Sequence, residues 1–183
     1  MIYNFVEKKN KMLKSDTKVK GLSLLLSEEN SSLISAGIGL LRDDEPFEGA
    51  IGLLASYYDK SEDSLVRKTI EGFMNDIKDQ SATREIMTEI RKPLKQSTIS
   101  MLVASCWQSG LDYSEYTADM AEVFLRSDYV TALECLTVIE ESVHSLSRAK
   151  RKEIINFIEG NTPQTSNEKI GLTHELISIL KQE

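Results

Sequence analysis

Two histidines, His144 and His174, are the only imidazoles in this chain of 183 residues, and they stand 30 residues apart. They fall on different expected helices, and neither has a cysteine or second histidine at zinc-ligand spacing. His144 reads instead as a residue at a helix C-terminus, where its charge suits the macrodipole. No nucleophile is marked by its surroundings: Gly-x-Ser-x-Gly, Gly-x-Gly-x-x-Gly and Gly-x-x-x-x-Gly-Lys-Ser/Thr are all absent. The Gly37 and Gly39 pair has no strand before it and reads as close helix packing. Asp43-Asp44-Glu45 is too compact for a calcium loop and lacks its glycine and terminal glutamate. Cys106 and Cys135 sit inside helical apolar patterns, where buried reduced thiols are the default. The expectation is a non-enzyme, with no catalytic residue, no cofactor and no metal.

Binding chemistry has more to offer. Trp107, Tyr113, Tyr116 and Tyr129 cluster in sequence with Asp112, Glu115, Glu134, Glu140 and Glu141. Tyrosine and tryptophan supply large contact areas at low entropic cost. Trp107 and Tyr116 also lie on apolar stripes, so core packing competes with contact for them. Glu134 lies off the stripe of its helix and is expected to be exposed. From these the candidate partner-binding set is Trp107, Asp112, Tyr113, Tyr129, Glu134 and Glu141. Two basic features stand apart. Arg148-Ala-Lys-Arg-Lys152 reads as the solvated start of a helix, and Ile2, Phe5, Val6, Lys9, Met12 and Leu13 would form a basic amphipathic arm. The arm also suits the polar-faced cap that a stack of repeats needs at its end.

Charge sharpens this picture. The net charge is −7, yet residues 1–20 hold six lysines against Glu7 and Asp16. Residues 111–146 hold eight acids and one base, Arg126, and residues 43–63 hold seven acids and one base, Lys60. An acidic body repels phosphate backbones, which disfavours nucleic acid as a ligand. No apolar run approaches the roughly 20 residues of a membrane span, and the N-terminus does not read as a signal peptide. The expected address is the cytoplasm.

Positioning these groups falls to helices. Apolar residues recur at spacings of three and four, as in Phe47, Ala50, Ile51, Leu54, Tyr58 and in Val130, Leu133, Leu136, Ile139, Val143. Nothing alternates with a period of two for long. Pro46, Pro93 and Pro163 fall where helices should start or stop, Gly110 and Gly160 where they should end, and Thr165–Glu168 matches a capping box. Helix openings near Lys18, Pro46, Ser81, Ser114 and Ser147 alternate with openings near Ser31, Asp63, Ser97 and Asp128, giving one helix pair per roughly 33 residues. The expected fold is all-α: an α-α superhelix of about four to five stacked antiparallel hairpins, against an irregular helical bundle as the alternative. Residues 1–17 are read as the arm or capping helix, and 18–183 as a single helical-repeat domain.

Ser64-Leu-Val-Arg-Lys-Thr-Ile-Glu-Gly-Phe-Met74 and Tyr129-Val-Thr-Ala-Leu-Glu-Cys-Leu-Thr-Val-Ile139 resemble inner helices of HEAT/armadillo-type repeats. The Val66-Arg67 pair followed by Ile70 and Phe73 is similar to the valine–arginine start of such a helix. The stretch from Cys106 to Glu141 resembles uncharacterised bacterial HEAT-like proteins. Lys68 and Ser100 depart from the pattern, standing where small or apolar residues are common. The resemblance covers roughly residues 18–160. It implies a right-handed stack whose inner helices line a concave face, and it implies no reaction. The expected function is an interaction or scaffolding module offering a concave, largely acidic surface to a protein. Alternatives are a nucleic-acid-associated HEAT-like protein or a homo-oligomeric structural subunit. A DNA glycosylase-like role for Trp107 and Asp112 would need cations in a window that is acidic.

Overall fold

The computed structural model describes residues 16–43, 47–161 and 167–182. Helix starts show how local chemistry sets the elements. Asn30 accepts from the Leu33 amide, Asp63 from those of Leu65 and Val66, and Asp128 from that of Thr131. Each side chain satisfies an amide that would otherwise lack a partner in the first turn. Lys95 fills the same place without a side-chain cap. These four N-caps recur at 33, 32 and 33 residues.

The elements are α1 (16–25), α2 (Ser31–Leu40), α3 (Ala50–Lys60), α4 (Ser64–Asn75), α5 (Ala82–Ile90), α6 (Gln96–Gln108), α7 (Thr117–Arg126), α8 (Tyr129–Ser142), α9 (Arg148–Asn161) and α10 (Ile170–Lys181), with short 3-10 turns between some of them. No strand occurs among the described residues, so the fold is all-α as the apolar spacing predicts. Pro93 lies in the α5–α6 connection. Gly110, with φ of 70°, ends α6 in the left-handed conformation that glycine adopts freely. Gly160 does not end its helix, because α9 continues to Asn161. Pro46, Pro163, the start of the Thr165–Glu168 box and arm residues 1–15 lie outside the described residues.

The chain forms two compact units, Met1–Glu89 and Ile90–Glu183. In the first, α2 and α3 both pack against α4. Ser31 donates its hydroxyl to Asp63, joining the starts of α2 and α4. Leu25 packs so closely over Gly37 that a Cβ there would lie 2.3 Å from it, whereas Gly39 faces open space. Arg67 lies 4.0 Å over the Tyr58 ring and donates to the Ser61 carbonyl, while Tyr58 donates to Glu71. Arg67 thus fastens the α3–α4 hairpin, while Val66 is buried. Glu85 of α5 accepts from the amides of Gly49 and Gly52 and caps α3 from another helix. Burial pushes its carboxyl above the usual range despite those two bonds.

In the second unit, α8 has α6 and α10 beside it and α7 against a third side, while α9 packs on α7 and α10. One buried charge organises it. Lys169, 3% exposed, donates to the carbonyls of Phe124, Leu125 and Ser127 at 2.9, 2.8 and 2.7 Å. The ammonium thereby closes the C-terminal end of α7, where carbonyls lack helical partners and a cation is favoured. Nothing in the sequence marks this lysine, whose partners lie 42 to 45 residues away.

Candidate interaction face on α8

Helix α8 has two sharply different sides. Thr131, Ala132, Cys135, Leu136, Val138, Ile139 and Ser142 are buried. The opposite side carries Tyr129, Val130, Leu133, Glu134, Thr137, Glu140 and Glu141. At 3.6 residues per turn these seven fall within an arc of about 140°. The three packed neighbours cover the rest of the helix, so this arc is the part left to solvent.

The arc overturns one expectation. Helical spacing places Val130 and Leu133 on one stripe with Leu136, Ile139 and Val143, yet these two are 59% and 44% exposed. The core side of α8 combines the aliphatic Leu136, Val138 and Ile139 with the smaller Thr131, Ala132, Cys135 and Ser142. Tyr129, 45% exposed, extends the aliphatic pair into an outward apolar strip along the first turns. Acidic residues follow it. Glu140 and Glu141 are exposed in the last turn, and α8 contains no lysine or arginine.

Trp107 meets this strip from α6. It is half-buried, and its indole N–H donates to the Glu134 carboxylate at 2.5 Å. Glu134 is therefore half-buried rather than exposed, being held against the ring. Of the six candidates, Trp107 and Glu134 are joined directly, while Tyr129 and Glu141 share the outward side of α8 at its opposite ends, about 18 Å apart along the axis. Asp112 lies in the loop beyond Gly110, exposed, and accepts from the Ser114 amide, which holds its carboxyl below the usual range. Tyr113 is a correction: at 1% exposure it cannot touch a partner. The chain reversal at Gly110 turns it inward against Tyr116, with ring centroids 6.4 Å apart, and beside Cys106 and Ser109. Cys106 Sγ and Ser109 Oγ already donate to helix carbonyls, and the Tyr113 hydroxyl finds no well-aligned partner. Burial raises the pKa of that phenol and pushes the Cys106 thiol up to about 12.

The other candidate surfaces are structural or open. In the basic run, Arg151 donates to the carbonyls of Leu146 and Gln182, and Lys150 pairs with Glu153 at 3.0 Å. An open groove of about 560 Å³ lies between α9 and α10, lined by Glu159, Thr173, His174, Ile177, Ser178 and Lys181. Among the described residues no group of three or more His, Cys, Asp or Glu is placed to hold a metal ion. Nor is any helix among them long and apolar enough to cross a membrane.

No family model, no curated protein and no solved structure matches this chain. The resemblance to HEAT/armadillo repeats thus rests on the residues quoted for it.

Proposed function

We propose that this chain is a non-enzymatic helical-repeat interaction module whose contact surface is the outward side of α8 with Trp107 beside it. The observation that carries this reading is the exposed strip Tyr129–Val130–Leu133 continuing into Glu134, Glu140 and Glu141. Exposed apolar residues in a contiguous, polar-rimmed patch are a mark of contact surfaces. A carboxylate covered by a partner costs free energy unless it meets a cation, so the partner presents Arg or Lys opposite the acids. Support for stacked hairpins of the HEAT/armadillo kind comes from N-caps recurring about every 33 residues and from α2 on α4, α6 on α8 and α8 on α10. Two free, buried cysteines suit a reducing compartment such as the cytoplasm.

The test is affinity purification from the native cell with three forms: the unaltered chain, Leu133→Asp, and Glu140→Lys with Glu141→Lys. All three positions are exposed, so thermal midpoints should stay close together. Loss of the same partner in both variants is the expected result. Retention of every partner by both variants, or tight binding of DNA or RNA at about 50 mM salt, would overturn the reading.

A further inference from the structure

We infer that the outward side of α8 receives the basic amphipathic segment within residues 1–15 of a second copy of this chain; this rests on the interaction reading above. Two properties of the surface restrict its occupant. Its apolar part is short, spanning Tyr129, Val130 and Leu133, so it takes a narrow hydrophobic stripe. The charges α8 itself supplies are all acidic, Glu134, Glu140 and Glu141, without a lysine or arginine on the helix. The occupant therefore combines a few bulky apolar side chains with several cations.

The chain carries such a segment. In sequence, residues 1–15 put Ile2, Phe5, Val6, Met12 and Leu13 at helical spacing with Lys9 among them, and add Lys8, Lys11 and Lys14 off that stripe with only Glu7 as an acid. The complementarity is twofold, since stripe meets strip and lysines meet carboxylates. Such a pairing is heterologous, because the segment of one copy meets a different surface on the next. Repeated from copy to copy it closes into a ring or extends as a chain of subunits.

The experiment uses the full chain and light scattering over a roughly hundredfold concentration range. Trp107, the sole tryptophan, sits at the edge of the surface and reports its occupancy by emission. The expected result is mass rising above 20.6 kDa with concentration, in step with a change in Trp107 emission. The dissociation constant should rise at least about tenfold in either of two variants. One reverses the surface (Glu140→Lys with Glu141→Lys), and the other reverses the segment (Lys8→Glu, Lys9→Glu, Lys11→Glu, Lys14→Glu). Mixing the two variants should restore association, since the reversed segment then meets the reversed surface. A constant monomer mass would overturn the inference, and so would association that neither reversal weakens. Mixing without restored association would overturn it too. These outcomes separate from the broader reading. A monomeric chain that still loses another captured protein on reversal of Glu140 and Glu141 refutes self-docking alone.

Discussion

Replacing Lys169 by methionine is the sharpest test of how the second unit is held together. Methionine keeps most of the apolar stem and removes all three donors. The carbonyls of Phe124 and Ser127 then remain buried, and that of Leu125 partly so, without their present partners. An unsatisfied buried carbonyl costs about 1–3 kcal/mol, so the gross loss approaches about 3–8 kcal/mol. Opposing this, methionine escapes the several kcal/mol needed to desolvate an ammonium. That cost is visible in the protein itself, since burial lowers the pKa of Lys169 from its ordinary 10.5. The difference leaves an expected destabilisation of about 2–4 kcal/mol, or roughly 4–16 °C in thermal midpoint for a chain of this size. Urea unfolding followed by Trp107 emission is the assay, because Trp107 and Lys169 belong to the same unit. A midpoint for Lys169→Met equal to or above that of the unaltered chain would refute the reasoning, showing that desolvation cancels all three bonds.

Other outcomes follow from single contacts. Replacing Glu134 by alanine should leave the Trp107 indole N–H to water, shift its emission to the red and cost about 1 kcal/mol. Glu134→Gln, which retains an acceptor, should preserve the spectrum. Cys106 and Cys135 should resist a thiol reagent at pH 8 in the native chain and react only on unfolding, because burial raises both pKa values, that of Cys106 to about 12. Glu85, raised above 4.5 by burial, is bound more tightly to its proton in the folded state. Its contribution to stability should fall as pH rises from 4.5 through that raised value, and thermal midpoints of Glu85→Gln should lack this component. Asp63 has the opposite sign. Its carboxyl is lowered below 3.8, chiefly by the Ser31 hydroxyl, so its contribution is present above 3.8 and lost as pH falls through the lowered value. The loss should be smaller in Ser31→Ala when midpoints are measured across that acid range.

Most signals that act on a residue's own turn of chain were legible, although Gly160 lies within α9 instead of ending it. Asp63 and Asp128 sit beside the helices they cap, Asn30 caps α2 one residue before the opening expected near Ser31, Gly110 acts through its own backbone angle, and Pro93 restricts its own linker. The all-α assignment follows from many such short-range agreements. The missed features act at long range. Lys169 closes a helix more than 40 residues earlier, Glu85 caps α3 across a hairpin, and both look like ordinary solvated charges in sequence. Tyr113, an aromatic among acids, reads in sequence as contact surface, while the turn that buries it depends on Gly110 and on α6 behind it.

Helix α8 shows the same limit from the other direction, and with more consequence. A stripe of Val130, Leu133, Leu136, Ile139 and Val143 satisfies helical periodicity, so the sequence cannot distinguish it from a core stripe. Only the placement of three neighbouring helices decides that the first two members face out. Folding then gives little reason for their being aliphatic, since an exposed Val or Leu recovers only part of the roughly 1.5–3 kcal/mol that full burial supplies. Leu33 and Leu65, half exposed in the first turns of α2 and α4, follow their N-caps by three and two residues, much as Val130 follows Asp128 by two. Single exposed aliphatics are ordinary on a protein surface, and Leu24, Leu40 and Ile170 are exposed as well, so the first-turn positions carry no weight by themselves. On the function proposed above, a partner covering Val130 and Leu133 would supply the burial that folding withholds, and Glu140 and Glu141, exposed in the last turn of α8, would meet its cations.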